Sequence, residues 1–200
     1  SNGIGPKILE SDIDALYARL DALQRGDTLV IAGSVPSMLP SDMYERIMDR
    51  LDGRGIDIVV DAERDLLVKV LRYHPFLIKP NNHELGAIFG VELSTRDEVV
   101  PYARKLQEKG ARNVLVSMAG EGAVLVPESG DVIMGEAPKG TVVNSVGAGD
   151  SMVAGFLAGY QESDGDYAAA FRMGVATGSA SAFSAKLATR PEVEALLKTL

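Results

Sequence analysis

The sequence predicts an α/β protein built on a mostly parallel sheet with helices on both faces. Short apolar runs alternate with helical patterns through the first 120 residues, and strand–helix–strand repetition of that kind makes successive strands parallel neighbours. No internal repeat, low-complexity tract or linker interrupts the order. At 46% hydrophobic content, 200 residues suffice for one core, so residues 1–200 read as a single domain.

The first strand is Thr28-Leu29-Val30-Ile31-Ala32, closed by Gly33-Ser34 and the prolines Pro36 and Pro40. Ser41-Asp42 then offers capping side chains for a helix to about Leu51, with Met43, Ile47, Met48 and Leu51 on one face. Ile56 to Asp61 predicts a second strand, Glu63 to Tyr73 a helix, and Pro75 to Lys79 a third strand. One helix follows Asn81, and another runs from Thr95 to Gly110, a glycine suited to ending it. Val114 to Ser117 and Ala123 to Val126 predict short strands around a glycine-containing turn, with Asp131 to Glu136 as one more. The chain turns helical from Gly149, small residues crowd Ala168 to Ala185, and Pro191 opens the last helix. If the strands are parallel, the loops after Ala32, Asp61, Lys79 and Ser117 share one rim, where ligands bind in such sheets.

Charge and composition exclude several functions. A formal charge of −8 opposes nucleic acid and anionic membranes as partners, since both select basic surfaces. It leaves room for a phosphorylated ligand held by backbone amides and a few local cations. The absence of cysteine removes disulfides, thiolate catalysis and Cys-ligated zinc. His74 and His83 are the only histidines, too few for a multi-histidine metal site. No apolar run reaches the roughly 18 residues of a membrane span, and no signal segment is evident, so a cytoplasmic location is expected.

Asn144-Ser145-Val146-Gly147-Ala148-Gly149-Asp150-Ser151 is the segment richest in chemistry. Its glycines permit unusual backbone angles and bring successive amides to one side, at the start of the helix that follows. Such a helix start binds anions. A carboxylate there is repelled by an anion unless it has another task, such as accepting a hydrogen bond from an attacking hydroxyl. The same spacing equally fits a glycine-rich helix start with Asp150 complementing the dipole. No lysine follows, so it is not a P-loop.

In Lys79-Pro80-Asn81-Asn82-His83-Glu84, Asn81 and Glu84 are three apart at a helix start, the spacing of a capping box. His83 points elsewhere on that helix and reads as structural. Ser117-Met118-Ala119-Gly120-Glu121-Gly122 reads as a hairpin-type connection whose glycines accept positive backbone angles.

Taken together, these segments resemble the ribokinase-like (PfkB) carbohydrate kinases, and within them the 1-phosphofructokinase and tagatose-6-phosphate kinase branch. The resemblance implies an ATP-dependent sugar-phosphate kinase. Asp150 would be the catalytic base, with Gly147, Ala148 and Gly149 forming the anion hole for the transferred phosphoryl group. It places Ser117, Ala119, Gly120 and Gly122, together with Ser145, Gly147 and Gly149, against ATP. Asn81 and Glu84 would organise Mg2+ through water, and Lys79 would approach the phosphates or the sugar phosphate. The implied acceptor is fructose 1-phosphate at its 6-hydroxyl, with tagatose 6-phosphate at its 1-hydroxyl as the alternative. Nucleoside and ribose kinases typically carry Asp-Thr where this chain has Asn144-Ser145.

Gly33-Ser34-Val35-Pro36 resembles a turn of the same branch, although Met38 stands where a glycine is common, and Glu63-Arg64 replaces a frequent Ser-Gly. The helix from Gly174 to Ala185 resembles the segment beside the adenine, while close helix packing explains its alanines equally. The resemblance spans the later two-thirds of a family member. The first strands and the lid sheet, which often mediates a homodimer, are absent. The isolated chain is therefore expected to be a poor kinase or to need a partner copy, and a non-catalytic nucleotide-binding module is the competing class.

Overall fold

A computed structural model describes residues 8–33 and 39–200. The elements run α1 (Glu10–Asp21), β1 (Thr28–Ala32), α2 (Met43–Leu51), β2 (Asp57–Asp61), α3 (Arg64–Val70), β3 (Leu77–Ile78), α4 (Asn82–Phe89) and α5 (Arg96–Glu108). They continue as β4 (Asn113–Ser117), β5 (Ala123–Val126), β6 (Ile133–Gly135), α6 (Ala148–Glu162), α7 (Tyr167–Phe183) and α8 (Arg190–Leu197). The sheet has the strands in chain order, with β1 to β4 parallel and β5 and β6 antiparallel. The mostly parallel expectation holds. Helix α1 has no counterpart in the elements expected above, although Ile13, Leu16, Tyr17 and Leu20 recur at helical spacing and turn one face to the core. Asp42 precedes α2 as expected, but its carboxylate bonds Arg46 at 2.9 Å instead of the helix amides.

Consecutive parallel crossovers of one hand that advance in one direction leave their helices on one face of the sheet. Here α1 to α5 cover one face and α6 with α7 cover the other, and the core divides accordingly. Strand residues alternate between the two halves. Val60, Ile78, Val116 and Val124 pack with the first group of helices, whereas Val59, Leu77, Leu115 and Leu125 pack with Phe156 and Phe171. That is the period-two geometry of strands buried on both sides, and it explains why their sequences are continuously apolar. At the sheet's edge this cover is incomplete, and Val30 of β1 is 45% exposed.

The second layer depends on glycine. A Cβ on Gly155 or Gly159 of α6 would strike Thr177, Met173 or Ala170 of α7. One on Gly174 or Gly178 of α7 would lie 3.0 Å from the Met152 carbonyl or 3.1 Å from the Ala148 carbonyl of α6. Two glycine pairs, each spaced four residues, thus form the facing stripes on which the helices meet.

At the opposite end of the sheet from the ligand rim, Arg112 makes two 2.8 Å bonds to Glu128 and one of 2.9 Å to Asp57, with Phe76 beneath its guanidinium. The Arg112 hydrogen bonds hold the Glu128 carboxyl below the usual range. Since the folded value is the lower one, the stabilisation is present above the ordinary glutamate pKa and is lost as pH falls through the folded value. Glu128→Gln should therefore lower the thermal midpoint at pH 7, with the gap to wild type closing below about pH 4. Thermal melts across that range test this, and a gap that persists in acid would contradict it.

Candidate active site

The parallel strands set their carboxyl ends at one rim. β2 ends in Asp61, and β3 leads through Lys79 and Pro80 to Asn81 at the N-cap of α4. Ser117 ends β4 and bridges to Asn81, with its amide donating to the Pro80 carbonyl at 3.1 Å. Two motifs far apart in sequence are thereby locked side by side. At β1, Gly33 is the last described residue before the gap, and its amide donates to the Asp61 carbonyl at 3.0 Å. Ser34-Val35-Pro36 and Met38 lie outside the described residues.

Asn81 and Glu84 form the expected capping box, with the Glu84 amide donating to Asn81 Oδ1 and the Asn81 amide to Glu84 Oε2, both at 2.8 Å. The Ser117–Gly122 connection is likewise the hairpin-type link expected. It closes through a one-turn 3-10 helix, Ala119–Glu121, with the Met118 amide donating to the Gly122 carbonyl at 2.8 Å. Gly122 has φ +89°, and a Cβ there would strike the backbone of Gly135 and approach the Ala137 amide within 2.8 Å. Only glycine meets both conditions.

Gly147 is the N-cap of α6 with φ +78°. Asn144 Oδ1 accepts the Val146 amide at 3.0 Å, and the Ala148 amide turns back onto the Ser145 carbonyl at 3.2 Å. The Gly149 and Asp150 amides, in the first turn of the helix, find no acceptor among the described residues. Asp150 is exposed at this helix start. Lys79 is buried, only 7% exposed, with Nζ 3.4 Å from Asp61 Oδ1. A Cβ at Gly149 would stand 3.2 Å from the same ammonium. Burial pushes the Asp61 carboxyl above its ordinary range against the pull of Lys79, and the charges of Asp150 and Glu84 add to the upward shift.

A cleft of about 680 Å3 joins these segments. Ser117, Ala119, Gly120, Gly122, Ser145, Ala148 and Gly149 all line it, as does Asn81. Gly147, Lys79, Glu84 and Asp150 stand around it rather than in its wall. Gly178, Ser179, Ala182 and Phe183 of α7 close one side, so the small-residue helix both packs against α6 and borders the cleft. His83 also lines the cleft, which corrects its reading as a residue pointing elsewhere. Ala137 to Gly140, with Val142, form a wall that their unpatterned sequence did not mark. Asp61 was seen only as a strand end, and its pairing with Lys79 appears once β2 and β3 are side by side.

The cleft suits a nucleotide: it is roomy, carries free amides at a helix start, and offers an apolar side along α7. For a divalent cation the protein offers little. The described residues contain no group of three or more carboxylates or histidines, and Asn81 Oδ1 and one Glu84 oxygen already serve the capping box. Such a donor set fits a cation held mainly by phosphates and water. Among the described residues no helix is long and apolar enough to cross a membrane.

Sheet order and rim together define a ribokinase-like α/β protein. The pfkB family of carbohydrate kinases matches residues 5–193, and the chain belongs to that family. It is 47% identical over 196 residues to the 1-phosphofructokinase of Bacillus subtilis, covering 98% of this chain and 64% of that protein. It is 34% identical over 181 residues to the D-tagatose-1-phosphate kinase of Bacillus licheniformis, covering 90% of this chain and 59% of that protein. The crystal structure of Escherichia coli phosphofructokinase-2 with substrates and products superposes at a TM-score of 0.88 with 28% identity, over all of this chain and 65% of that one. The chain thus spans less than two-thirds of the length of these relatives.

Proposed function

We propose that this chain carries the nucleotide-binding and catalytic part of a 1-phosphofructokinase, which transfers the γ-phosphoryl group of ATP to fructose 1-phosphate. The observation that carries the reading is the convergence of three separate segments, at Asn81, Ser117–Gly122 and Ser145–Gly149, on one cleft with Asp150 at its edge. The free amides of Gly149 and Asp150, with Gly147 as the glycine hinge, face the transferred group, while Ala148 shapes the turn. Asp150 accepts the proton of the sugar 6-hydroxyl as its oxygen bonds phosphorus and the bond to the β-phosphate breaks. Ser117, Ala119, Gly120, Gly122 and Ser145 hold ATP, and Lys79 supplies positive charge at the phosphates. Asn81 and Glu84 would orient the water shell of a Mg2+ ion, which would supply positive charge to offset the negative charge of the phosphates.

Fructose 1-phosphate and tagatose 1-phosphate both present a C6 hydroxyl with the phosphate at C1. Tagatose 1-phosphate therefore joins tagatose 6-phosphate as an alternative acceptor, in keeping with the name of the Bacillus licheniformis relative. A homodimer belongs to the same proposal, as does a cytoplasmic location, where ATP and sugar phosphates meet. The full-length protein should be assayed with ATP and each of fructose 1-phosphate, fructose 6-phosphate and the two tagatose phosphates. Fructose 1-phosphate should exceed fructose 6-phosphate in kcat/KM by about 100-fold or more. ATP binding without transfer to any acceptor would favour a nucleotide-binding module instead.

A further inference from the structure

We propose that Asp61 is a positioning residue for phosphoryl transfer, holding the Lys79 ammonium against the start of α6. The proposal rests on the reading of the cleft given above. The register of β2 on β3 pairs Val60 with Ile78, so Asp61 and Lys79 leave neighbouring parallel strands at the same level and on the same side. Both side chains are largely withdrawn from solvent, at 18% and 8% exposure. Among the described residues Asp61 is the ammonium's ion-pair partner. Leaving an ammonium so buried without such a partner is costly.

The geometry gives the pair a direction. At 3.4 Å the contact is looser than a direct charge-assisted hydrogen bond of about 2.8 Å, and it occupies one side of the ammonium. The ammonium also lies against Gly149, where a Cβ would stand 3.2 Å from Nζ and 3.5 Å from Cε. Beside it lie the uncommitted amides of Gly149 and Asp150. Asp150 and Glu84 are near enough to act electrostatically on Asp61, so the site is acidic apart from the Lys79 ammonium. A phosphoryl group can approach such a site only if that cation stays at the α6 end. Asp61, anchored in the sheet, fixes it there.

A double-mutant cycle on the full-length protein tests this, with rates normalised to nucleotide-binding sites counted by calorimetry. Asp61→Asn should lower kcat about 10- to 100-fold while the ATP dissociation constant changes less than about threefold. Lys79→Met should lower kcat at least as much. In the Lys79→Met background, adding Asp61→Asn should change kcat less than about twofold, because the residue it acts through is gone. Independent, multiplying losses in the double variant would overturn the proposal, as would an unimpaired Asp61→Asn beside an impaired Lys79→Met. If Asp61→Asn alone does not fold, Asp61→Glu takes its place in the cycle, since the longer carboxylate displaces the ammonium it holds. Asp150→Ala serves as the separate control. Unchanged turnover in that variant rejects the reading of the cleft, whereas its loss with an additive cycle rejects the role of Asp61 alone.

Discussion

Asp150→Ala in the full-length protein is expected to lower kcat by about 10²- to 10⁴-fold, the range for removing a positioned proton acceptor, with ATP still bound. Asp150 is in the first turn of α6, exposed at the edge of the cleft and outside its wall. Its loss therefore removes no lining residue. Structurally it costs only the favourable interaction of a carboxylate with the helix N-terminus, about 0.3–1 kcal/mol. Asp150→Asn, which keeps the size and loses the acceptor charge, should show the same loss of rate. Steady-state kinetics with calorimetric measurement of ATP binding checks both variants. Normal turnover in either would remove Asp150 from the mechanism.

Gly155→Leu, away from the cleft wall, should destabilise the protein by about 3 kcal/mol or more. A Cβ at Gly155 would strike Thr177 Oγ1 and lie 2.8 Å from the Met173 carbonyl. Thr177 cannot easily yield, because its hydroxyl donates to that same carbonyl at 2.7 Å. The two helices would have to separate. Gly178, whose Cβ position is 3.1 Å from the Ala148 carbonyl, shares the same interface, so separation also displaces the start of α6. Urea denaturation should show a lower midpoint and ATP binding should weaken together with it. Ala154→Leu, one position earlier on the exposed face of α6, is the control and should stay within about 0.5 kcal/mol of wild type. Equal stability of the two variants would rule out the close-packed interface as the cause.

Several elements were legible because their signals are local. The apolar runs of β2, β4 and β5, the capping pair Asn81 and Glu84, and the stripe Met43, Ile47, Met48 and Leu51 each state their structure within a few residues. Helix α1 was legible too, since Ile13, Leu16, Tyr17 and Leu20 recur at helical spacing and pack on the core, a stripe absent from the expected elements. Asp61 looks unremarkable in sequence, and nothing there links it to Lys79. Their pairing depends on which strand lies next to which, and that is decided by crossovers many residues long.

The sequence by itself determined the α/β class and the segments that carry caps and glycine-rich turns, because strand burial, capping and such turns follow from short-range pattern, whereas the shared rim waited on the parallel pairing of β1 to β4. It also determined that Asp150 begins a helix behind a flexible glycine turn. Only the tertiary structure decided that the Asn81, Ser117–Gly122 and Ser145–Gly149 segments share one cleft, and that Asp61 and Lys79 meet beside Gly149. The physical reason is that β-sheet neighbours and facing glycine stripes bring together residues distant in the chain. Their contacts are properties of packing and register, which no local run of residues records.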